Sequence, residues 1–197
     1  MFELPTSVWI EDKEYKIRKD GDYRMVLDCF SALQDIELGE EERIITALII
    51  FYDDVLSLDN LYELFDTPEL MREAVKEMYR FFNCYDERPG RVVPYKLIDW
   101  EQDTQIIAGA VNKVAGTEIR SVEYLHWWTF MGYYSNVGKS TLSTIVDIRK
   151  KIKEGKKLEK PEKEFRHDNP QFFIWNSATI EDQEAEEWAR NIWNSEQ

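Results

Sequence analysis

The tightest constraint on the fold is the stretch 124–134. Six of its eleven residues are Phe, Trp or Tyr, namely Tyr124, Trp127, Trp128, Phe130, Tyr133 and Tyr134, with His126 among them. At helical spacing Trp127 and Met131 share one face and Tyr124 and Trp128 another, so a helix here is apolar nearly all round. Such a helix has to lie at the centre of a fold or beneath a partner. Trp and Tyr also suit an interface, because each joins an apolar body to a polar tip. These six residues are therefore the candidate cluster, read either as core or as partner surface.

The rest of the chain supplies helices to surround it. Residues 7–10 and 15–17 are β-prone around the polar turn 11–14, and predict a hairpin that needs helices beneath it, since two strands alone are marginal. From Asp20 onward Tyr23, Leu27, Phe30 and Leu33 recur at helical spacing up to a stop at Gly39. Helices are expected over 41–56, 58–65 and 69–82, the last announced by the Thr67-Pro68 start signal. Others are expected over 99–114 before Gly116, over 121–135, and over 140–154 before Gly155. Beyond Gly155, Pro161 and Pro170 are expected to break up the chain. A last amphipathic helix is expected from Thr179, with Trp188, Ile192 and Trp193 on or beside one stripe.

The clearest loop, Asp86-Glu87-Arg88-Pro89-Gly90, reads as a connection within one body, because a boundary there leaves two thin pieces. The expected architecture is mainly α, a single-domain helical bundle over 1–197 with a short N-terminal β-hairpin. Within it 1–19 is the hairpin, 20–85 the acidic helices and 96–154 the aromatic-rich core. Residues 155–197 run from basic to acidic, with room for partial flexibility.

Charge limits the function. The chain has 39 acids against 25 bases, a formal net of -14. That excludes a generic phosphate-backbone binder, which must carry Lys and Arg to neutralise phosphates. Disorder is excluded by 43% hydrophobic and 14% aromatic residues. The charge is uneven: residues 1–90 carry -12, 91–147 carry -1, 148–166 carry +5 and 167–197 carry -6. Within the basic stretch Arg149, Lys150, Lys151, Lys153, Lys156 and Lys157 form a candidate docking segment for an acidic partner or for acidic neighbours in the same chain. The plain alternative is a solvated helix face.

No apolar run approaches the length of a membrane span, and the start lacks the pattern of a signal peptide. Cys29 and Cys84 lie far apart with no CxxC, so the expectation is two buried free thiols in a reducing, cytoplasmic setting.

No catalytic constellation assembles. Ser135-Asn136-Val137-Gly138-Lys139-Ser140-Thr141 resembles a phosphate loop, but Tyr133 stands where the first Gly belongs, and the preceding residues read as a helix rather than a buried strand. Nucleotide hydrolysis through Lys139 is thereby set behind a helix–loop–helix junction. His126 and His167 have no ligand-spaced partners, and His126 reads as a packed or capping core residue. Carboxylate neighbours such as Asp53-Asp54 and Glu101 with Asp103 face different directions on a helix. The expectation is no enzyme, no cofactor and no metal.

One resemblance goes further. Asp99-Trp100-Glu101-Gln102-Asp103, then residues 106–112, then Arg120-Ser121-Val122-Glu123-Tyr124-Leu125-His126-Trp127-Trp128-Thr129-Phe130 resemble the bacteriophage gene-product-fifteen family, found in long-tailed phages and prophages of Gram-positive bacteria. Ile148-Arg149-Lys150-Lys151 and Gly155-Lys156-Lys157-Leu158 match its pattern too. The resemblance implies a tail assembly chaperone that keeps the tape measure protein soluble, recruits tail tube subunits and is absent from the finished virion. It implies action in the host cytoplasm, with no nucleic-acid or membrane partner; self-association stays open. The competing class is an acidic DNA mimic that inhibits a host nuclease or DNA-binding protein, which needs carboxylates spaced like phosphates on one surface.

Overall fold

The computed structural model describes residues 3–86, 88 and 95–175. It is mainly helical, with eight α-helices among these residues and one antiparallel two-stranded hairpin, as expected.

The hairpin joins β1 (Ser7–Ile10) to β2 (Lys13–Lys16), with Ser7 opposite Lys16 and Ile10 opposite Lys13. Its turn is shorter than expected, and Glu11 takes the left-handed conformation that a tight turn requires. Alternation along the strands turns Val8, Ile10 and Tyr15 inward and leaves Trp9 60% exposed. The inner face rests on helix ends: the Tyr15 ring lies 5.0 Å from that of Phe65 and 6.0 Å from that of Tyr52.

Helix α1 (Tyr23–Gln34) starts at Asp22, whose carboxylate accepts the Arg24 amide at 2.9 Å. The preceding Gly21 has φ +78, and a Cβ there would lie 2.8 Å from the Phe81 ring and 3.0 Å from His126 Nε2. Glycine is required at this position both by the conformation and by the space. Helix α2 (Glu40–Phe51) begins with Glu40, Glu41 and Glu42, suited to the positive end of the helix dipole.

The expected extension of α2 to residue 56 does not occur, and Arg18 supplies the reason. Its guanidinium donates to the carbonyls of Ile49, Ile50, Tyr52 and Val55 at 2.8–3.2 Å. These include carbonyls that a helix end leaves without amide partners, so a distant cation closes α2. Helix α3 (Leu58–Leu64) is capped by Ser57, and α4 (Pro68–Phe82) by Thr67, whose hydroxyl accepts the Leu70 amide.

Helix α5 (Thr104–Ala115) ends at Gly116, whose φ is +71. It starts later than expected because Asp99 folds 99–103 into a turn, accepting the amides of Glu101 and Gln102. Helix α6 (Trp127–Ser135) also starts later than the predicted residue 121. Residues 122–125 are bonded elsewhere: Arg24 donates to the Val122 carbonyl, Tyr23 N–H to the Leu125 carbonyl, and Leu125 N–H to Asp22 Oδ2. Those long-range bonds outweigh local helix preference.

Helix α7 (Thr141–Lys153) opens on a reciprocal Ser140–Ser143 cap. Pro161 does not break the chain; it sits in the first turn of α8 (Lys160–Asp168), where its missing N–H costs nothing. The helix expected from Thr179 and the partial flexibility expected toward 197 fall outside the described residues. One apolar core extends from Val8 of the hairpin to Leu142 of α7. Among the described residues no helix is long and apolar enough to cross a membrane.

Candidate partner-binding site

The structure divides the aromatic cluster. Trp127 and Phe130 are each 1% exposed and belong to the core. Trp128, Tyr133 and Tyr134 are half-buried, whereas Tyr124, outside the helix, is exposed and donates its hydroxyl to the Asp20 carbonyl at 2.9 Å. Phe130 stacks on Tyr23 at 4.9 Å, nearly parallel, and Phe30 meets Trp127 edge-on at 5.7 Å. Trp100 completes the set, 6.0 Å from Trp127 and 5.3 Å from Tyr134. Local aromatic density does not reveal Trp100 as a cluster member, because it lies outside the 124–134 run.

Both indole N–H groups are used. Trp127 donates to the Phe82 carbonyl at 2.9 Å and Trp128 to the Phe81 carbonyl at 3.0 Å. The start of α6 thus caps the end of α4: the Phe82 carbonyl takes its hydrogen bond from Trp127, and the Phe81 carbonyl accepts both Trp128 and the Cys84 amide. This accounts for two adjacent Trp residues at the head of a short helix.

A cleft of about 270 Å³ opens between α1 and α5, lined by Tyr23, Leu27, Trp100, Ile107 and Phe130, with charged Arg24, Asp28 and Arg120. Its two arginines are held in place: Arg24 pairs with Asp22, and Arg120 with Glu118. The hydrogen bond from Arg120 brings the half-buried Glu118 carboxyl down to about 2. An apolar floor with fixed charges around it can receive an apolar side-chain row from a partner helix.

His126 caps the same helix. It is 1% exposed; Nδ1 accepts the Trp128 amide at 3.0 Å, so Nε2 carries the proton and donates to the Pro5 carbonyl at 3.0 Å. Burial lowers its pKa from 6.5, against the opposing effects of the Pro5 carbonyl and Asp22. The unfolded chain therefore takes up this proton first as pH falls. Stability is full above pH 6.5 and declines below it until the native pKa is passed. Urea midpoints measured from about pH 7.5 to 5.5, above the carboxylate range, are expected to fall in the native chain. In His126→Asn, which keeps a capping acceptor, that fall should shrink; an undiminished slope would contradict the assignment.

The candidate basic segment is divided between the interior and the surface. Arg149 is the correction: it is 4% exposed, and its guanidinium makes a two-pronged ion pair with Asp103 at 2.6 and 2.9 Å. It also donates to the carbonyls of Leu97 and Phe172, and the Trp175 ring lies 4.3 Å from it. Lys151 pairs with Glu162 and Lys156 with Glu154. Lys150 and Lys157 are exposed and Lys153 half-buried.

Residues 136–140 join α6 to α7, and Ser140 caps α7. Cys29 and Cys84 are free, Cys29 buried and Cys84 only partly; burial raises both thiols, that of Cys84 to about 11. Among the described residues no group of three or more His, Cys, Asp or Glu is placed to hold a metal ion. On α4 acids alternate with bases as Glu69–Arg72, Glu73–Lys76 and Glu77–Arg80 pairs, unlike a phosphate-like row.

Fold and site together describe a mainly helical protein with an apolar cleft edged by charges between α1 and α5. Residues 1–169 match the model of the family described as Bacteriophage Gp15 protein, and the chain belongs to that family. No curated protein and no solved structure matches it.

Proposed function

We propose that this chain is a non-enzymatic tail assembly chaperone of a long-tailed phage. It binds the tape measure protein of the same phage, keeps it soluble and helps recruit tail tube subunits. The observation that carries this reading is family membership over 1–169, which suggests a phage structural or assembly-related protein. The geometry supports the finer role. A long helical partner with apolar stripes aggregates unless those stripes are covered, and the α1–α5 cleft has room for apolar side chains projecting from such a helix. The acidity of residues 1–90 would keep the covered complexes soluble and mutually repelling. In this reading the protein works in the host bacterial cytoplasm and stays out of the mature virion, with no nucleic-acid or membrane partner.

The test is light scattering from the tape measure protein diluted into aqueous buffer. Stoichiometric chaperone should suppress the scattering. Leu27→Glu, which places a charge on the cleft wall at a half-buried position, should lose that suppression while keeping a native circular dichroism spectrum. Equal suppression by this variant would show that the cleft is not the binding surface.

A further inference from the structure

We propose that Lys150, Lys153, Lys157 and Lys160 form a docking ridge for the acidic segment 181–187 of the same chain. The ridge is independent of the chaperone reading. Residues 148–166 carry +5, yet part of that charge is already neutralised. Arg149 is buried against Asp103, and Lys151 and Lys156 have carboxylate partners. Among the described residues Lys150, Lys153 and Lys157 form no ion pair, and Lys160, 89% exposed, has only Glu164 at 3.9 Å.

These lysines follow one another in sequence from the last turns of α7 to the start of α8. Lys150 and Lys153 share a helix face. Lys157 comes after the Gly155 turn and, with Lys160, lines a shallow recess around the buried Leu158.

Charge and reach identify the occupant. Residues 176–197 hold Glu181, Asp182, Glu184, Glu186, Glu187 and Glu196 against the single base Arg190. The chain arrives beside α7, where Trp175 packs on the Arg149 guanidinium and Gln102 donates to the Ile174 carbonyl at 2.6 Å. From Trp175 to Glu181 the backbone spans up to ~20 Å when extended. The ridge begins at Lys150, the residue next along α7 from the Arg149 on which Trp175 packs. Each exposed ion pair is weak alone, but tethering raises the effective concentration of the segment to about the millimolar range, which a free acidic partner must exceed. The ridge is therefore open only to partners acidic enough to displace it.

A nitroxide at Gln183→Cys tests this in the full chain carrying Cys84→Ser, since Cys29 is buried. At about 0.01 M ionic strength, where screening extends ~30 Å, the amide signals of 150–160 should broaden and those of the hairpin should not. At about 1 M, where screening falls to ~3 Å, the broadening should disappear. Lys150→Glu, Lys153→Glu and Lys157→Glu together should abolish it. Adding Glu181→Lys, Glu184→Lys and Glu187→Lys should restore it. Absence of broadening at low salt, or broadening indifferent to charge reversal, would overturn the proposal. So would broadening passed to an unlabelled-cysteine, isotope-enriched chain in a mixed sample, because that places the segment on a second copy.

Discussion

Asp103→Ala is expected to cost the fold about 3–5 kcal/mol, the range for a buried ion pair broken from one side. The reason lies in what remains. Arg149 is 4% exposed, and without Asp103 its charge keeps only the carbonyls of Leu97 and Phe172 and the Trp175 ring. Arg149→Met should cost a similar amount, because it leaves the Asp103 carboxylate, 1% exposed, with only the Asp99 amide at 3.0 Å among these bonds. Removing both charges, as Asp103→Ala with Arg149→Met, should recover part of the loss, since no uncompensated charge is left.

The two single variants should differ in one respect. Arg149 holds the Phe172 carbonyl through two nitrogens, so Arg149→Met should also open 170–175 to protease, whereas Asp103→Ala should do so less. Urea denaturation of the four chains gives the cycle. Single-variant losses below ~1 kcal/mol, or losses that simply add, would show that the pair is not a buried unit.

Trp127→Ala is the second large effect, at about 3–5 kcal/mol for emptying a buried aromatic site. Trp127 touches Phe30, Trp100 and Phe130, and its indole satisfies the last carbonyl of α4, so truncation opens a cavity and orphans an acceptor. Trp127→Phe separates these effects: it keeps most of the apolar contact but leaves the Phe82 carbonyl unpaired, a penalty of about 1–3 kcal/mol. Trp128→Ala, at a half-buried position, should cost less than Trp127→Ala. Denaturant midpoints that rank Trp128→Ala at or above Trp127→Ala would contradict the division of this cluster into core and surface.

The residues that make the fold readable are those whose signals are local. The spacing of Tyr23, Leu27, Phe30 and Leu33 marks α1, and Thr67-Pro68 marks the start of α4 within a residue. Ser140 and Gly155 similarly bracket α7. The helix ends that depart from expectation are set by partners far along the chain. Arg18 closes α2 from more than thirty residues upstream, and Asp22 holds Leu125 out of α6 across 103 residues. Pro161 opens a helix rather than ending one, and the two kinds of proline have the same local appearance.

The candidate site divides in the same way. The density of aromatics at 124–134 is visible in the sequence, but the burial of Trp127 and Phe130 depends on Trp100 and α1 folding over them. Arg149 carries no mark distinguishing it from the lysines beside it. Its partner lies 46 residues away, and only the packed chain brings them together.

Whether this family member covers apolar stretches of a tape measure protein is measured most simply by co-expressing the two. The readout is the fraction of tape measure recovered in the supernatant. A soluble complex that co-purifies is expected, with an insoluble tape measure when the chain is omitted. A tape measure equally soluble without this protein would contradict the chaperone role.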